Sequence, residues 1–404
     1  MAQVDVLPAR QQLSVADEAK THMSRAAMRF HGVRMVGLST YSILFDRYRY
    51  TGKGADLFNN LWNHFKLVDL GVMEVKGWHK WYHRMMYFHP KRSVWSTAAR
   101  MNVLAFKEHT RQAEEFLKSK HGQYDLIFQL HTMMSPGFKP GSRPYVMATD
   151  NTYIQSERYW NSWVPVKRDR NQWVDMETEV YQNALTIFSW SEFTRQSLIN
   201  DYGIAPEKVV VTGSSGNFKV DENPKDDFSH PIALFVGLEF ERKGGYILLD
   251  AWKKVQATMP EAQLWIVGPR KPLADPIPGV HWKGRIFDRD MLNWMFQQSR
   301  VFVLPSLFEP FAMAMLEAMG MGLPCIGTDA FGTQEMIKSG VNGLLVKTGD
   351  ASELADALLT LRQNPDLAKK MGTQAHTRVL EKFTWANVVS RMVPQIEQVT
   401  GLKI

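Results

Sequence analysis

Apolar residues fall along this chain in two alternating rhythms. Short continuous runs such as Val301–Leu304 and Pro324–Gly327 have the length of buried strands, while between them apolar positions recur three and four apart, the spacing of helices packed on one side. In the first half this pattern predicts strands over Arg34–Leu38, Tyr124–Leu130 and Pro144–Thr149, a helix over Met101–His121, and a strand end, N-cap serine and helix running from Ser189 to Gly203. In the second half it predicts strands over Pro231–Gly237, Leu264–Gly268 and Val280–Ile286, with helices over Tyr246–Ala257 and Phe311–Met319. Strands alternating with helices throughout predict an α/β chain of two open parallel sheets. A chain of 404 residues suits two such domains with a cleft between them. The expected division is a leader over 1–30, a first domain over 31–218, a polar linker over 219–230, a second domain over 231–384, and a last helix over 385–404.

Charged residues placed inside this apolar frame carry the chemistry. Glu309 falls in the loop after Val301–Leu304, and Glu317 lies eight residues on, inside a helix built otherwise of Ala, Met and Leu. A carboxylate in such a helix is costly unless something hydrogen-bonds it. Eight residues at helical rise separate the pair by about 12 Å along the axis, roughly the reach of a diphosphate with a sugar on either side. The helix N-terminus between them offers free backbone N–H groups to an anion. On this reading Glu317 holds the hydroxyls of a nucleotide ribose and Glu309 contacts a transferable sugar. Arg242 and Lys243 stand before a glycine pair at a strand-to-helix crossing, where two cations would neutralise a departing diphosphate. His131 and Asp150 end the strands Tyr124–Leu130 and Pro144–Thr149, positions that face a cleft in an open parallel sheet; structural packing of His131 and ordinary loop capping by Asp150 are the alternatives.

The passage SRVFVLPSLFEPFAMAMLEAMGMGLPCIGTD, with its E-x7-E pair, resembles the retaining glycosyltransferases of family 4, which have the GT-B fold of two Rossmann-like domains. A weaker likeness reaches back to about Ser189. The resemblance implies transfer of a sugar from a nucleotide-diphosphate donor to an acceptor hydroxyl, with retention at the anomeric carbon, and assigns Lys243 to the leaving diphosphate. It places the nucleotide base against the backbone near Arg285 and Ile286, adds Gly237 and the Pro310-Phe311-Ala312 segment to the donor site, and gives His131 a role toward sugar or acceptor. It also implies that the final helix returns to the first domain. Two departures stand out: Leu238 follows Gly237 where the family usually has Arg, with Arg242 as the substitute charge, and Ser39-Thr40-Tyr41 replaces a glycine-rich loop, with only Gly52 and Gly54 beyond it. The donor is a substrate, and neither cofactor nor metal is expected. Two other readings stay open: a nucleotide-sugar epimerase on the same fold, and a binding protein without turnover.

Composition narrows the setting. With 45% hydrophobic and 22% charged residues the chain is globular, no apolar run approaches a membrane span, and the N-terminus lacks a signal-peptide core, so a cytosolic protein is expected. The single Cys325 cannot pair internally and sits in an apolar strand. The net charge of +7 is lopsided: up to Gly216 there are 27 Lys and Arg against 20 Asp and Glu, and beyond it 21 against 21. Between Glu74 and Glu108 seven basic residues meet no acid, which suggests an anionic partner and a lipid-linked or otherwise anionic acceptor. Within that stretch, residues 76–92 alternate basic and aromatic faces. They predict a helix lying on a membrane surface or, the commoner arrangement, one packing Trp78, Trp81, Tyr82 and Met85 into the core.

Three other classes fit poorly. Nothing besides the basic aromatic helix points to nucleic acid. VTGSSGN over Val211–Asn217 lacks the third glycine and the following helix of a dinucleotide turn. Asp288-Arg289-Asp290 has the form of a metal-binding D-x-D but precedes a helix that Asp would cap.

Overall fold

The computed structural model describes residues 32–40, 44–46, 49–51, 54–137, 143–164, 166–216 and 225–402; the expected leader, Tyr41, Gly52 and most of the linker lie outside them. The first half runs β1 (Arg34–Ser39), a short hairpin of β2 (Leu44–Asp46) and β3 (Arg49–Thr51), α1 (Ala55–Leu61), β4 (Lys66–Val72), α2 (Gly77–Met86), α3 (Arg92–Ala98), α4 (Val103–Ser119), β5 (Leu126–Leu130), β6 (Tyr145–Thr149), α5 (Tyr153–Tyr159), α6 (Arg170–Asn183), β7 (Ile187–Ser189), α7 (Glu192–Asn200) and β8 (Val209–Val211). The second half runs β9 (Ile232–Val236), α8 (Gly245–Thr258), β10 (Gln263–Val267), β11 (Val280–Gly284), α9 (Arg289–Gln298), β12 (Val301–Leu304), α10 (Met313–Gly320), β13 (Cys325–Thr328), α11 (Thr333–Met336), β14 (Gly343–Val346), α12 (Ala351–Gln363), α13 (Pro365–Lys382) and α14 (Trp385–Thr400).

Two six-stranded parallel sheets result, in the orders β4-β1-β5-β6-β7-β8 and β11-β10-β9-β12-β13-β14. Central strands such as β5 and β12 are buried along their whole length, because helices cover both faces of a parallel sheet. Strand order reverses between β1 and β5 in the first sheet and between β9 and β12 in the second. Crevices at such reversals, outside the carboxyl ends of the strands, are where open α/β sheets take ligands. His131 follows β5, Lys243 follows β9 and Glu309 follows β12, so chain topology alone brings three candidate residues to the two crevices.

The domains are tied at one edge. Arg300 donates to the carbonyls of Phe228 and Ser229 (2.5 and 2.8 Å) and fixes the chain where it enters the second domain. α14 then packs back on α1, burying Trp385, Val388, Val389, Met392 and Ile396, while Arg391 donates to the Thr212 carbonyl at 2.6 Å. Five buried apolar side chains contribute on the order of 10 kcal/mol before entropy is counted. Cys325 is buried in β13, where loss of solvent pushes its thiol pKa well up. No helix among the described residues is long and apolar enough to cross a membrane.

The basic aromatic helix corrects one expectation. In α2 the inward line is His79, His83 and Tyr87, with Tyr87 Oη donating to Asp169 at 2.6 Å, while Trp78, Trp81, Tyr82 and Met85 are exposed. Packing of these apolar side chains into the core is therefore excluded. The seam against the protein is polar, and the apolar stripe faces outward.

Candidate active site

The second-domain half of the cleft is built by two loops pressed together. After β9 the chain turns so tightly that Gly244 adopts a left-handed φ of 73°; a Cβ there would overlap the carbonyl of Pro305 in the loop after β12. This close approach places Lys243 Nζ 2.7 Å and Arg242 Nη1 3.3 Å from the same Glu309 oxygen, with Glu309 only 5% exposed. Burial alone would raise the Glu309 carboxyl pKa, but the charges of Lys243 and Arg242 outweigh it and hold the group below the usual carboxylate range. Gly237 is a contact surface for this pair, since a Cβ on it would collide with Lys243 Cδ.

Arg242 departs from the role of a spare phosphate ligand. Its nitrogens donate to Glu239 (2.7 and 2.9 Å), to the Phe308 carbonyl (2.7 Å) and to Glu309, and its guanidinium lies 4.6 Å over the Trp163 ring. It braces the Glu309 loop, and Lys243 is the cation with side-chain area still open to the cleft. A cavity of about 450 Å³ opens beside Arg242, between Leu238 and Tyr246 of this loop region, Arg270 and Lys271 after β10, and Trp160 of the first domain.

Glu317 is buried in α10, where Arg289 Nη1 approaches it to 3.3 Å. Asp288 caps α9 by accepting from the amides of Asp290 and Met291, and the arginine between the two aspartates reaches Glu317. α10 begins at Met313, two residues later than expected, after Ala312 at the non-helical φ of −87° and ψ of 77°. The 12 Å axial separation therefore does not hold; only the five residues from Met313 to Glu317 are helical, four steps that rise about 6 Å. Among the described residues the Phe311 and Ala312 amides have no partner, and no side chain caps α10. The Pro310 carbonyl lies against Gly332, where a Cβ would collide with it. Arg285 is exposed and Ile286 half-buried just past β11, on the same rim as α9.

From the first domain come His131 and Asp150. His131 Nδ1 lies 3.2 Å from Asp150 Oδ1, and His131 sits at φ 63°, a conformation that costs a non-glycine residue energy and is held here by its neighbours. Gln129 donates to the His131 and Met134 carbonyls, and Thr132 donates to Glu177 at 2.7 Å. Glu177 is fully enclosed, so burial pushes its pKa up against hydrogen bonds from Tyr202, Thr132, the Tyr153 amide and Tyr181. The edge of His131 meets Trp190 at 5.6 Å between centroids, and Trp190 meets Phe311 at 5.9 Å, which links the histidine to the Glu309 loop across the cleft. The buried Trp190 Nε1 has no partner among the described residues.

Other interdomain residues escaped the sequence reading. Tyr159 and Phe193 of the first domain interlock with Phe308 and Phe331 of the second, Tyr159 stacking on Phe308 at 5.7 Å, and Trp163 Nε1 donates to Glu239 at 2.7 Å. Beside them the Glu335 carboxylate accepts from the Glu192 amide at the start of α7. Burial raises the Glu335 pKa to about 7, against the opposing pull of the Glu192 and Phe193 amides. An excess of aromatics in four separate segments was the only available signal.

Comparison with known proteins agrees with this architecture. The family model "Glycosyl transferases group 1" matches residues 230–364, the segment holding Lys243, Glu309 and Glu317. The alpha-maltose-1-phosphate synthase of Mycolicibacterium smegmatis is 28% identical over 196 residues, which are 43% of this chain and 50% of that enzyme; the chain thus matches half the length of this relative. Among solved structures, the sucrose-phosphate synthase of Thermosynechococcus elongatus superposes with a TM-score of 0.67 at 16% identity, covering 91% of this chain and 99% of that one. HepE of Anabaena, crystallised with UDP, gives 0.63 at 14% identity over 90% and 100%. With two parallel sheets facing a cleft, the chain has the GT-B fold, and its second-domain segment 230–364 carries the pattern of the glycosyl transferases group 1 family.

Proposed function

We propose that the protein transfers a sugar from a nucleotide-diphosphate donor to an acceptor hydroxyl, with retention at the anomeric carbon. One observation carries this reading: a buried carboxylate, Glu309, is held at 2.7 Å by Lys243 between two loops at the strand reversal of the second domain. The unpartnered Phe311 and Ala312 amides beside it suit the oxygens of a diphosphate. Lys243 neutralises the charge that develops as the diphosphate leaves, and Arg242 keeps Glu309 in place. Glu317, beside Arg289, binds the ribose hydroxyls, and Gly237, Arg285, Ile286 and Pro310 complete the donor wall. The HepE structures with UDP and with UDP-glucose make a uridine donor the first to test.

On the acceptor side, His131 and Asp150 face the same cleft, and Asp150 serves as the base that takes the hydroxyl proton through or beside His131. The acceptor hydroxyl attacks the anomeric carbon from the face the diphosphate leaves, which preserves the configuration without a covalent sugar–enzyme bond. The test is incubation of the purified protein with labelled nucleotide sugars and a panel of acceptors. Transfer of label with release of nucleoside diphosphate supports the reading, whereas an epimerised donor with no release, or binding with no turnover, refutes it.

A further inference from the structure

We infer that α2 and the turn after it form a docking surface for an anionic lipid bilayer. The arrangement of this helix reverses that of an ordinary surface helix. The side chains it turns toward the protein are His79, His83 and Tyr87, while Trp78 is 67% exposed, Trp81 64%, Met85 59% and, just beyond, Phe88 68%. Exposed aromatic and aliphatic side chains clustered within eleven residues cost free energy in water and are recovered only by a partner.

Charge identifies the partner. Lys76, Lys80, Lys91 and Arg92 flank the stripe and are themselves exposed, and the sequence from Val75 to Lys107 contains no Asp or Glu. Among the described residues, Lys76 pairs with Glu74 at its rim. A second copy of the same chain would bring like charge against like, whereas an anionic bilayer offers apolar depth for the indoles and phosphates for the cations. The helix stays helical on its protein side through polar contacts that do not compete for the outer face: Tyr87 Oη on Asp169, Arg168 on the Met86 carbonyl at 3.2 Å, and Trp95 Nε1 on the Arg84 carbonyl at 2.7 Å.

The surface also has a fixed relation to the cleft. α2 packs on α3, and α3 on the turn Asn161–Trp163, whose Trp163 touches Phe308, Glu239 and Arg242 beside Glu309. A bilayer seated on α2 therefore lies beside the acceptor-side mouth, and the cleft would take a hydroxyl borne on a lipid headgroup. The docking itself does not depend on the transfer reaction.

The test is flotation of the full chain with phosphatidylcholine vesicles, pure or carrying phosphatidylglycerol, at low and high ionic strength. Binding is expected only to the vesicles with phosphatidylglycerol and only at low ionic strength. Trp78→Ser/Trp81→Ser should abolish it. Lys76→Ala/Lys80→Ala/Lys91→Ala should weaken it by about 100-fold, at roughly fivefold per cation near a charged surface. Since all five positions are exposed, the variants should melt with the wild type, which separates lost docking from lost fold. No flotation of the wild type with anionic vesicles at low ionic strength overturns the inference. So does equal flotation with neutral ones, or a wild-type dimer that Trp78→Ser/Trp81→Ser converts to monomer.

Discussion

Lys243→Ala tests the site in two separable ways. In the wild type the Lys243 side chain is 15% exposed and the Glu309 side chain 7%, with 2.7 Å between their charges. Removing one partner of a buried pair costs about 3–5 kcal/mol, chiefly because the other charge is left unneutralised. Arg242 remains 3.3 Å from Glu309, so the lower end, about 3 kcal/mol, is expected. Replacing both groups, in Lys243→Ala/Glu309→Gln, removes the stranded charge and should restore about 2 kcal/mol of that loss. Transfer should respond differently. Loss of the cation that meets the leaving diphosphate should lower kcat by ~10²-fold or more, and the second substitution cannot restore it. Urea unfolding of both variants measures the first quantity; single-turnover release of nucleoside diphosphate measures the second. Sugar transfer by Lys243→Ala within twofold of the wild type, or a double variant that recovers rate along with stability, would refute this role for Lys243.

Three further outcomes follow from the same geometry. Gly237→Ala places a Cβ against Lys243 Cδ and should push the amine off Glu309, lowering transfer by at least tenfold at a stability cost of about 1–3 kcal/mol, read by the same two assays. Glu317→Gln should weaken donor binding about tenfold with little change in kcat, since it removes a charge-assisted hydrogen bond of about 1.5 kcal/mol; titration calorimetry with the donor checks it. Glu335 has its folded pKa raised to about 7 from an ordinary 4.5, so its contribution to the closed interface is complete below pH 4.5 and is lost as pH rises through 7. Measured between pH 5 and 8, the wild-type unfolding midpoint should fall relative to that of Glu335→Gln; parallel curves would refute the assignment.

The legible part of the molecule was local. Alternation of Val301–Leu304, a loop and an Ala-Met-Leu helix showed the unit that carries Glu309 and Glu317, and caps such as Asp288 and Ser191 sit where their neighbours require. What escaped was set by distance along the chain or by orientation. Arg289 and Glu317 are 28 residues apart, and Glu192 and Glu335 are 143 apart, so no spacing rule joins them. Tyr159, Phe193, Phe308 and Phe331 meet only once two domains close on each other. In α2 the periodicity shows an apolar stripe, but periodicity is indifferent to which side faces the protein. His83, Tyr87 and Asp169 settle that, and they make the inward side the polar one.

The return of α14 to α1 changes what covalent continuity means here. A single proteolytic nick between Gly216 and Lys225 would yield two polypeptides, yet the C-terminal fragment would keep its last helix embedded in the N-terminal one, with Arg391 on the Thr212 carbonyl. The nicked species should migrate as one particle until denaturant is added. Co-expression of residues 1–216 with 225–404 should then reconstitute a whole protein from its halves.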